Sequence, residues 1–404
     1  MSAEPLPTAV ADPGSETIEC VERLSKTEGP AAAIEQLIAD LDARGEYRAL
    51  LDALLLKARF ELKLPLIAPR SLSDLPEPAR SQYEQKYVDA ICLVGSRHIA
   101  AGDIPTAWAY YRAIGENEPV ARAIREYQPP ENDERLGAVI DVAFNQGVCP
   151  EHGFAMILEH YGTCPAITAF DQLPPHETAA RSACARQLIE RLHRDLAANL
   201  RGEIAGRGEG NLPEATPIAE LVANRPWLFA DEGYHIDVSH LAAVVRMAPL
   251  VTENAGLALA VDLTEYGRRL SPRLVFDGPP PFEKIFEDHG VYLKALLGRE
   301  VNQAVDHFRA KFNDAGADGG DDDRDDVATA QMLVNILARA GRTDEAIEIA
   351  SEHFAGIPEG ALGCPGVTTL CVGAGQIERL ARLARARGDL VTFTAALLAS
   401  QLPK

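Results

Sequence analysis

Aromatic side chains are scarce in this sequence, at 6% of 404 residues with only 2 Trp. The abundant residues, Ala, Leu and Arg, are all good helix formers, so helix is the expected structure. Positive charge is also short: 39 Lys and Arg face 60 Asp and Glu, for a formal charge of −21. A field of that sign repels phosphate backbones and anionic lipid, so neither nucleic acid nor a membrane surface is expected as a partner. The 7 cysteines (Cys20, Cys92, Cys149, Cys164, Cys184, Cys364 and Cys371) are few, odd in number and scattered. That is unlike a secreted disulfide framework, and a cytoplasmic setting is expected. The opening MSAEPLPTAVADPGSE lacks the basic start and apolar core of a secretory signal and reads as a disordered tail over residues 1–15. Long apolar runs are missing too. The best window, Leu241 to Leu263, is interrupted by Arg246, Glu253, Asn254 and Asp262, so it reads as a buried helix pair rather than a membrane span.

What is present is an ordinary folded composition, 47% hydrophobic and 25% charged. At roughly 150 residues per domain the length implies two or three lobes, or one elongated array. Apolar residues recur at helical spacing, as at Ile34, Leu37, Ile38 and Leu41. The pattern predicts helices over 16–28, 31–44, 47–64, 80–101, 104–117 and 120–127. It predicts more over 136–146, 151–161, 177–200 and 238–270, the last bent at Pro249 and Gly256. The remainder fall at 282–297, 300–313, 327–340, 343–354, 375–387 and 390–401. Arg201 to Pro217, with four glycines, reads as an exposed loop. Period-two alternation is too short to require a sheet, although Ala166–Phe170 or Arg273–Phe276 suits a short strand. Boundaries are placed at QPPENDER (Gln128–Arg135) and at Ser271–Pro281. They divide the chain into hairpins over 16–128, a middle helical region over 129–281, and hairpins over 282–404. The expected fold class is all-α, built of stacked antiparallel helix hairpins as in an α-solenoid.

The hairpins share a turn of Gly with a polar neighbour: Gly45-Glu46, Gly102-Asp103, Gly298-Arg299, Gly341-Arg342 and Gly388-Asp389. Glycine closes a helix in the left-handed conformation, and the next residue can cap the following helix. A single such hairpin cannot bury its apolar face alone, so neighbours must stack. Residues 91–119 carry Ile91, Val94, Gly95, His98, Gly102, Ala107, Tyr111 and Pro119. This stretch resembles the tetratricopeptide repeat, with weaker echoes at 282–313 (Ala304, Phe308) and 327–358 (Leu333, Gly341, Ala346, Pro358). The resemblance implies that Gly95 and Ala107 let paired helices approach, Tyr111 packs between them, and Pro119 ends the unit. It also implies a protein-interaction role. Ile91 and His98 depart from the aromatics of that family. The carboxylate clamp of its chaperone-binding members is not matched, because the corresponding positions hold Asp89, Cys92 and Ser96.

The sharpest chemical cluster is Tyr234-His235-Ile236-Asp237-Val238-Ser239-His240. Two imidazoles and a carboxylate suit a metal ligand set or an acid–base pair. Five residues of helix rotate His235 and His240 by about 140° from one another, whereas Asp237 and His240 can meet. Helix capping by Asp237 or Ser239 competes with both chemical roles. Cys149, His152, His160 and Cys164 are zinc-ligand types, but a helical centre would hold the two halves about 10 Å apart. The aspartate-rich stretch 314–326 fails the calcium-loop register and reads as a solvated acidic loop. No phosphate loop, dinucleotide fingerprint or HExxH is present. The leading expectation is a non-catalytic scaffold, without a cofactor, that binds a protein or peptide with basic segments. The alternative is an enzyme or a metal- or small-molecule-binding protein with a pocket between the middle helices, using His160, His235, Asp237 and His240.

Overall fold

The computed structural model describes residues 13–67, 75–208, 210, 212–317 and 323–401. Every regular element among them is helical, with no strand. The chain divides into two compact units, one through Met156 and one from Ile157.

The first unit is a succession of hairpins. Helices α1 (Pro13–Thr27), α2 (Pro30–Ala43), α3 (Tyr47–Glu61), α4 (Ala79–Ala100) and α5 (Ile104–Ala113) each pack on the next. They are followed by α6 (Glu118–Glu126), the single-turn α7 (Leu136–Ile140), a π-turn over Asp141–Asn145 and the start of α8 (Pro150–His160). Gly45 and Gly102 take the left-handed conformation, with φ of 70° and 74°, and the chain reverses at each. Asp103 then caps α5, its carboxylate accepting from the Thr106 N–H at 3.2 Å. Leu41, Leu50, Ala53 and Val94, from α2, α3 and α4, form a continuous core.

In the α4–α5 hairpin the two helices approach closely around Gly95. Ala107 is fully buried, and Tyr111 lies across Gly95 with its hydroxyl donating to the Cys92 carbonyl at 3.1 Å. Pro119 enters the first turn of α6, where its missing N–H costs no hydrogen bond. His98 packs among aromatic rings. Its ring stacks on Tyr110 at 5.4 Å and meets Tyr47 edge-on at 4.9 Å. The Trp108 indole N–H donates to Gln146 at 2.6 Å and ties α5 to the π-turn.

The second unit begins as a bundle. Helix α10 (Thr178–Gly206) packs against α9 (Thr163–Gln172), α11 (Ile218–Val222), α12 (Val238–Met247) and α13 (Asn254–Gly267). Leu188, Ile189, Leu192, Leu196, Leu200 and Ile204 of α10 are all at most 1% exposed. At about 1.5–3 kcal/mol each, that burial supplies on the order of 10 kcal/mol before chain entropy is counted. Serial packing then resumes through α14 (Ile285–Leu296), α15 (Val301–Ala317), α16 (Asp323–Arg339), α17 (Thr343–His353), α18 (Val367–Gly373), α19 (Ile377–Arg387) and α20 (Leu390–Ala399). Gly298, Gly341 and Gly388 make the left-handed turns. Ala346 is fully buried on α17, while Pro358 leads into a short 3-10 turn. Ala304 and Phe308 are both fully buried on α15.

Several local expectations are corrected. Ala166–Phe170 is not a strand but lies within α9, where Ala166 and Phe170 sit four apart on its buried side. Arg273–Phe276 forms no strand either; a 3-10 turn occupies Pro272–Leu274. The loop expected at Arg201–Pro217 starts later, because α10 runs on to Gly206 and buries Ile204. The break between α12 and α13 runs from a 3-10 turn over Ala248–Leu250, which holds Pro249, to Glu253. Gly256 sits inside α13 in close contact with Val251. The acidic stretch is shorter than expected as well: α15 continues to Ala317 and α16 starts at Asp323. Its centre, 318–322, lies outside the described residues, as do residues 1–12 of the expected tail.

Candidate functional site

His235 is the most enclosed of the flagged residues. The chain reaches it through a 3-10 segment over Pro226–Glu232, with Asp231 and Glu232 both left-handed at φ of 53° and 61°. Its side chain is 3% exposed. Nδ1 lies 2.9 Å from the Tyr266 hydroxyl on α13, and Nε2 lies 2.8 Å from Glu203 on α10. The Tyr266 oxygen also accepts the His235 backbone N–H at 2.8 Å. Nε2 faces the Glu203 carboxylate, which accepts, so Nδ1 of the neutral ring is left to accept the phenolic proton. The neutral imidazole therefore carries its proton on Nε2 and donates it to the Glu203 carboxylate. Phe229 covers the group, 5.5 Å from Tyr266 and 6.1 Å from His235. Burial lowers the His235 pKa, against the opposing pull of Glu203, and pushes the Tyr266 phenol up to about 12.

Asp237 and His240 face a different task. The Asp237 carboxylate accepts from the N–H groups of Ser239 and His240 at 2.8 and 3.0 Å, and from the Ser239 hydroxyl at 2.5 Å. This is an N-cap on α12. His160 is exposed at the end of α8, the helix expected between the Cys149 and Cys164 pairs, and Cys164 is exposed on α9. Among the described residues no hydrogen bond, ion pair or ring contact joins His160 to His235, Asp237 or His240. Nor do any three His, Cys, Asp or Glu among them stand together as a metal-binding group.

Sequence reading missed a second polar cluster. Asp288 on α14 has a side chain 1% exposed, yet both oxygens are engaged. Oδ1 faces His307 Nε2 at 2.9 Å; Oδ2 accepts from Lys311 Nζ and the Lys284 N–H, each at 2.8 Å. Lys311 also donates to the Pro281 carbonyl at 2.7 Å and to Glu283. Burial acts to lower the Lys311 pKa, but hydrogen bonds to Asp288 and Glu283 outweigh it and raise the pKa above the ordinary value. Beside it His289 stacks on Phe282 at 4.0 Å and donates from Nδ1 to the Ile285 carbonyl at 2.8 Å; burial depresses its pKa to about 4. The one sequence signal was the acidic and basic spacing on α14 and α15, which reads as solvated helix surface until both helices are placed.

A cleft of about 480 Å³ opens where the 354–368 connection meets α19 and α20. Phe354, Leu362, Val367, Leu380 and Leu383 form its apolar part, Glu359, Arg387 and Asp389 its polar part, and Pro358 lies on its wall. Its polar groups are held by the fold. Glu359 accepts from the Thr368 N–H at 2.6 Å and the Thr369 hydroxyl at 3.0 Å, and Asp389 caps α20 through the Thr392 N–H at 3.0 Å. Arg387 donates to the Ser351 carbonyl on α17. No known protein family, curated protein or solved structure matches the chain, and no helix among the described residues is long and apolar enough to cross a membrane.

Proposed function

We propose that this protein is a non-catalytic helical-hairpin scaffold that binds a protein or peptide. The observation that carries the reading is the cleft between the 354–368 connection and α19–α20. Phe354, Leu362, Val367, Leu380 and Leu383 give it an apolar part, and its carboxylates and guanidinium are already engaged by helix N-termini and carbonyls. Such a surface offers a partner a pocket for one aliphatic or aromatic anchor, the kind of contact that dominates peptide recognition. Glu359 and Asp389 stand at the rim within a chain of net charge −21, so basic residues flanking the anchor are favoured. The Glu203–His235–Tyr266 relay favours a second, enzymatic reading, strengthened by the paired left-handed residues Asp231 and Glu232 that precede it. Tyr266 is fully buried and Phe229 covers His235, which weighs against substrate reaching either ring.

The scaffold reading is tested by fluorescence anisotropy with labelled peptides that carry a Leu or Phe anchor between Lys/Arg flanks or between Glu flanks. Basic-flanked peptides are expected to bind at least about tenfold more tightly, and Leu383→Arg is expected to abolish binding without changing the melting temperature. Indifference to the flanks, or undiminished binding by Leu383→Arg, would count against it.

A further inference from the structure

The segment from Pro226 to Asp237 lies over Tyr266 as a strap, and three residues of α10 hold it down. Asn199 donates from Nδ2 to the His235 carbonyl at 2.7 Å, Glu203 lies 2.8 Å from His235 Nε2, and the Arg207 guanidinium stands 4.2 Å from the centre of the Trp227 ring. Steps of four residues put these three on one side of the helix. On α13, Tyr266 is fully buried against Phe229. The strap itself is not relaxed. Asp231 and Glu232 are consecutive left-handed residues without the freedom of glycine. A methyl group on Gly233 would meet the Leu228 carbonyl at 2.7 Å, so the turn closes tightly against its own start.

We propose that His235 is a pH-sensitive latch, which fastens the strap while its imidazole is neutral and releases it on protonation. The ring has two opposite tasks: it donates from Nε2 to Glu203 and accepts at Nδ1 from the Tyr266 hydroxyl, 2.9 Å away. Only the neutral imidazole does both. A second proton would sit on Nδ1 and point at the phenolic oxygen, which already accepts the His235 backbone N–H at 2.8 Å. Accepting Nδ1–H as well fills both lone pairs of that oxygen. The phenolic proton is then left without an acceptor in a fully buried site, since Tyr266 has no other hydrogen-bond partner among the described residues. The strained pair Asp231–Glu232 thereby acts on a strap that has lost a fastening. Release uncovers Leu228 and Tyr266, which are 2% and 0% exposed while the strap is closed.

Other charges around the ring are committed elsewhere. On α10, Glu203 steadies an imidazolium and so opposes release, Arg207 is turned to Trp227, and His193 is paired with Asp262 of α13 at 3.3 Å. Beside Tyr266 on α13, Glu265 holds Lys294 at 2.8 Å and Arg268 at 3.4 Å. On the strap, Asp231 and Tyr234 are exposed and Glu232 pairs with Arg273 at 3.2 Å. Asp237 caps α12 through the N–H groups of Ser239 and His240, which hold its carboxyl below the ordinary carboxylate value, so it stays ionised in mild acid. Burial outweighs Glu203 and lowers the His235 pKa. The closed strap therefore takes up a proton less readily than the open one. Its advantage is complete above the ordinary value of 6.5 and is lost as pH falls towards the lowered value.

Hydrogen–deuterium exchange of the full chain at about pH 7.5 and about pH 5 tests the proposal, read as protection factors so that the intrinsic pH dependence of exchange is removed. Peptides covering 226–237 are expected to lose at least about fivefold in protection at the lower pH, while α10 peptides around Leu188 to Leu200 keep theirs. His235→Gln is expected to show equal strap protection at both pH values. Glu203→Gln keeps an acceptor for the Nε2 proton but withdraws the charge that steadies an imidazolium, and it is expected to deepen the loss. A wild-type strap equally protected at both pH values would overturn the proposal. So would a loss shared by α10, which is unfolding of the whole unit. Loss that persists in His235→Gln, or that Glu203→Gln abolishes, would place the titration on another group and overturn it as well.

Discussion

The α4–α5 crossing provides a test in which two opposing effects of known size meet at one atom. A methyl group at Gly95 would stand 2.5 Å from Cε2, 2.9 Å from Cδ2 and 3.0 Å from Cζ of Tyr111. The ring cannot withdraw freely. Tyr111 is 4% exposed, and its hydroxyl is bonded to the Cys92 carbonyl one turn earlier on α4. Replacing a helical glycine by alanine ordinarily gains about 0.8–1 kcal/mol. Overpacking a closed site costs about 1–3 kcal/mol. Gly95→Ala is therefore expected to destabilise by roughly 1 kcal/mol, a fall in melting temperature of about 2–4 °C for a unit of this size. In a Tyr111→Leu background the ring is gone, and the same substitution is expected to stabilise by up to about 1 kcal/mol. Thermal and urea unfolding of the four proteins close a double-mutant cycle whose coupling is about 2 kcal/mol. A rise in stability for Gly95→Ala in the wild-type background would refute the reasoning, as would the same sign in both backgrounds.

His289 supplies a pH signature. Its pKa is about 4 in the folded chain against an ordinary 6.5, so between those values the unfolded chain binds a proton that the folded chain does not. Stability is accordingly complete above pH 6.5 and is lost as pH falls towards 4, by roughly 3 kcal/mol at 1.36 kcal/mol per pKa unit. His289→Phe should remove that component from the pH dependence of urea unfolding, and equal slopes for the two proteins would show that the imidazole is not held neutral. At the start of α12, Asp237→Ala should cost about 1 kcal/mol while Asp237→Asn costs only a few tenths, because either oxygen can cap. Equal losses for Ala and Asn, measured by chemical denaturation, would point to a role for the charge beyond capping.

The hairpins are visible in the sequence because their determinants are local. Gly102 and Gly388 mark a left-handed turn wherever they fall, and Asp103 and Asp389 need only reach an N–H three residues on. Helical periodicity does the rest, since stacking buries whatever stripe each helix offers. Errors arise where tertiary packing overrides local preference. Gly202 and Gly206 weaken the C-terminal third of α10, but Ile204 is fully buried there and the helix persists through both. Thr163–Gln172 has β-branched and aromatic residues that suit a strand, and it is helical because Ala166 and Phe170 present one buried face.

Polar sites follow a harsher rule. A buried ionisable group must find its partners wherever the fold brings them, and sequence proximity carries no information about that. His235 stands out in the sequence as one imidazole in a dense cluster with Asp237 and His240. Its hydrogen bonds run instead to Glu203, 32 residues before it, and Tyr266, 31 residues after it. Asp237 is free to cap α12 for the same reason. An N-cap must accept from N–H groups two and three residues ahead, which aims its carboxylate along the helix axis and away from the preceding chain. Asp288 makes the converse case. On α14 it reads as one acid among several, yet it is the buried carboxylate around which His307, Lys311 and the Lys284 N–H converge. Removing Lys311 would leave only the His307 ring and the Lys284 N–H to offset the burial of that carboxylate, which is why the three partners come as a set and why none of them can be read alone.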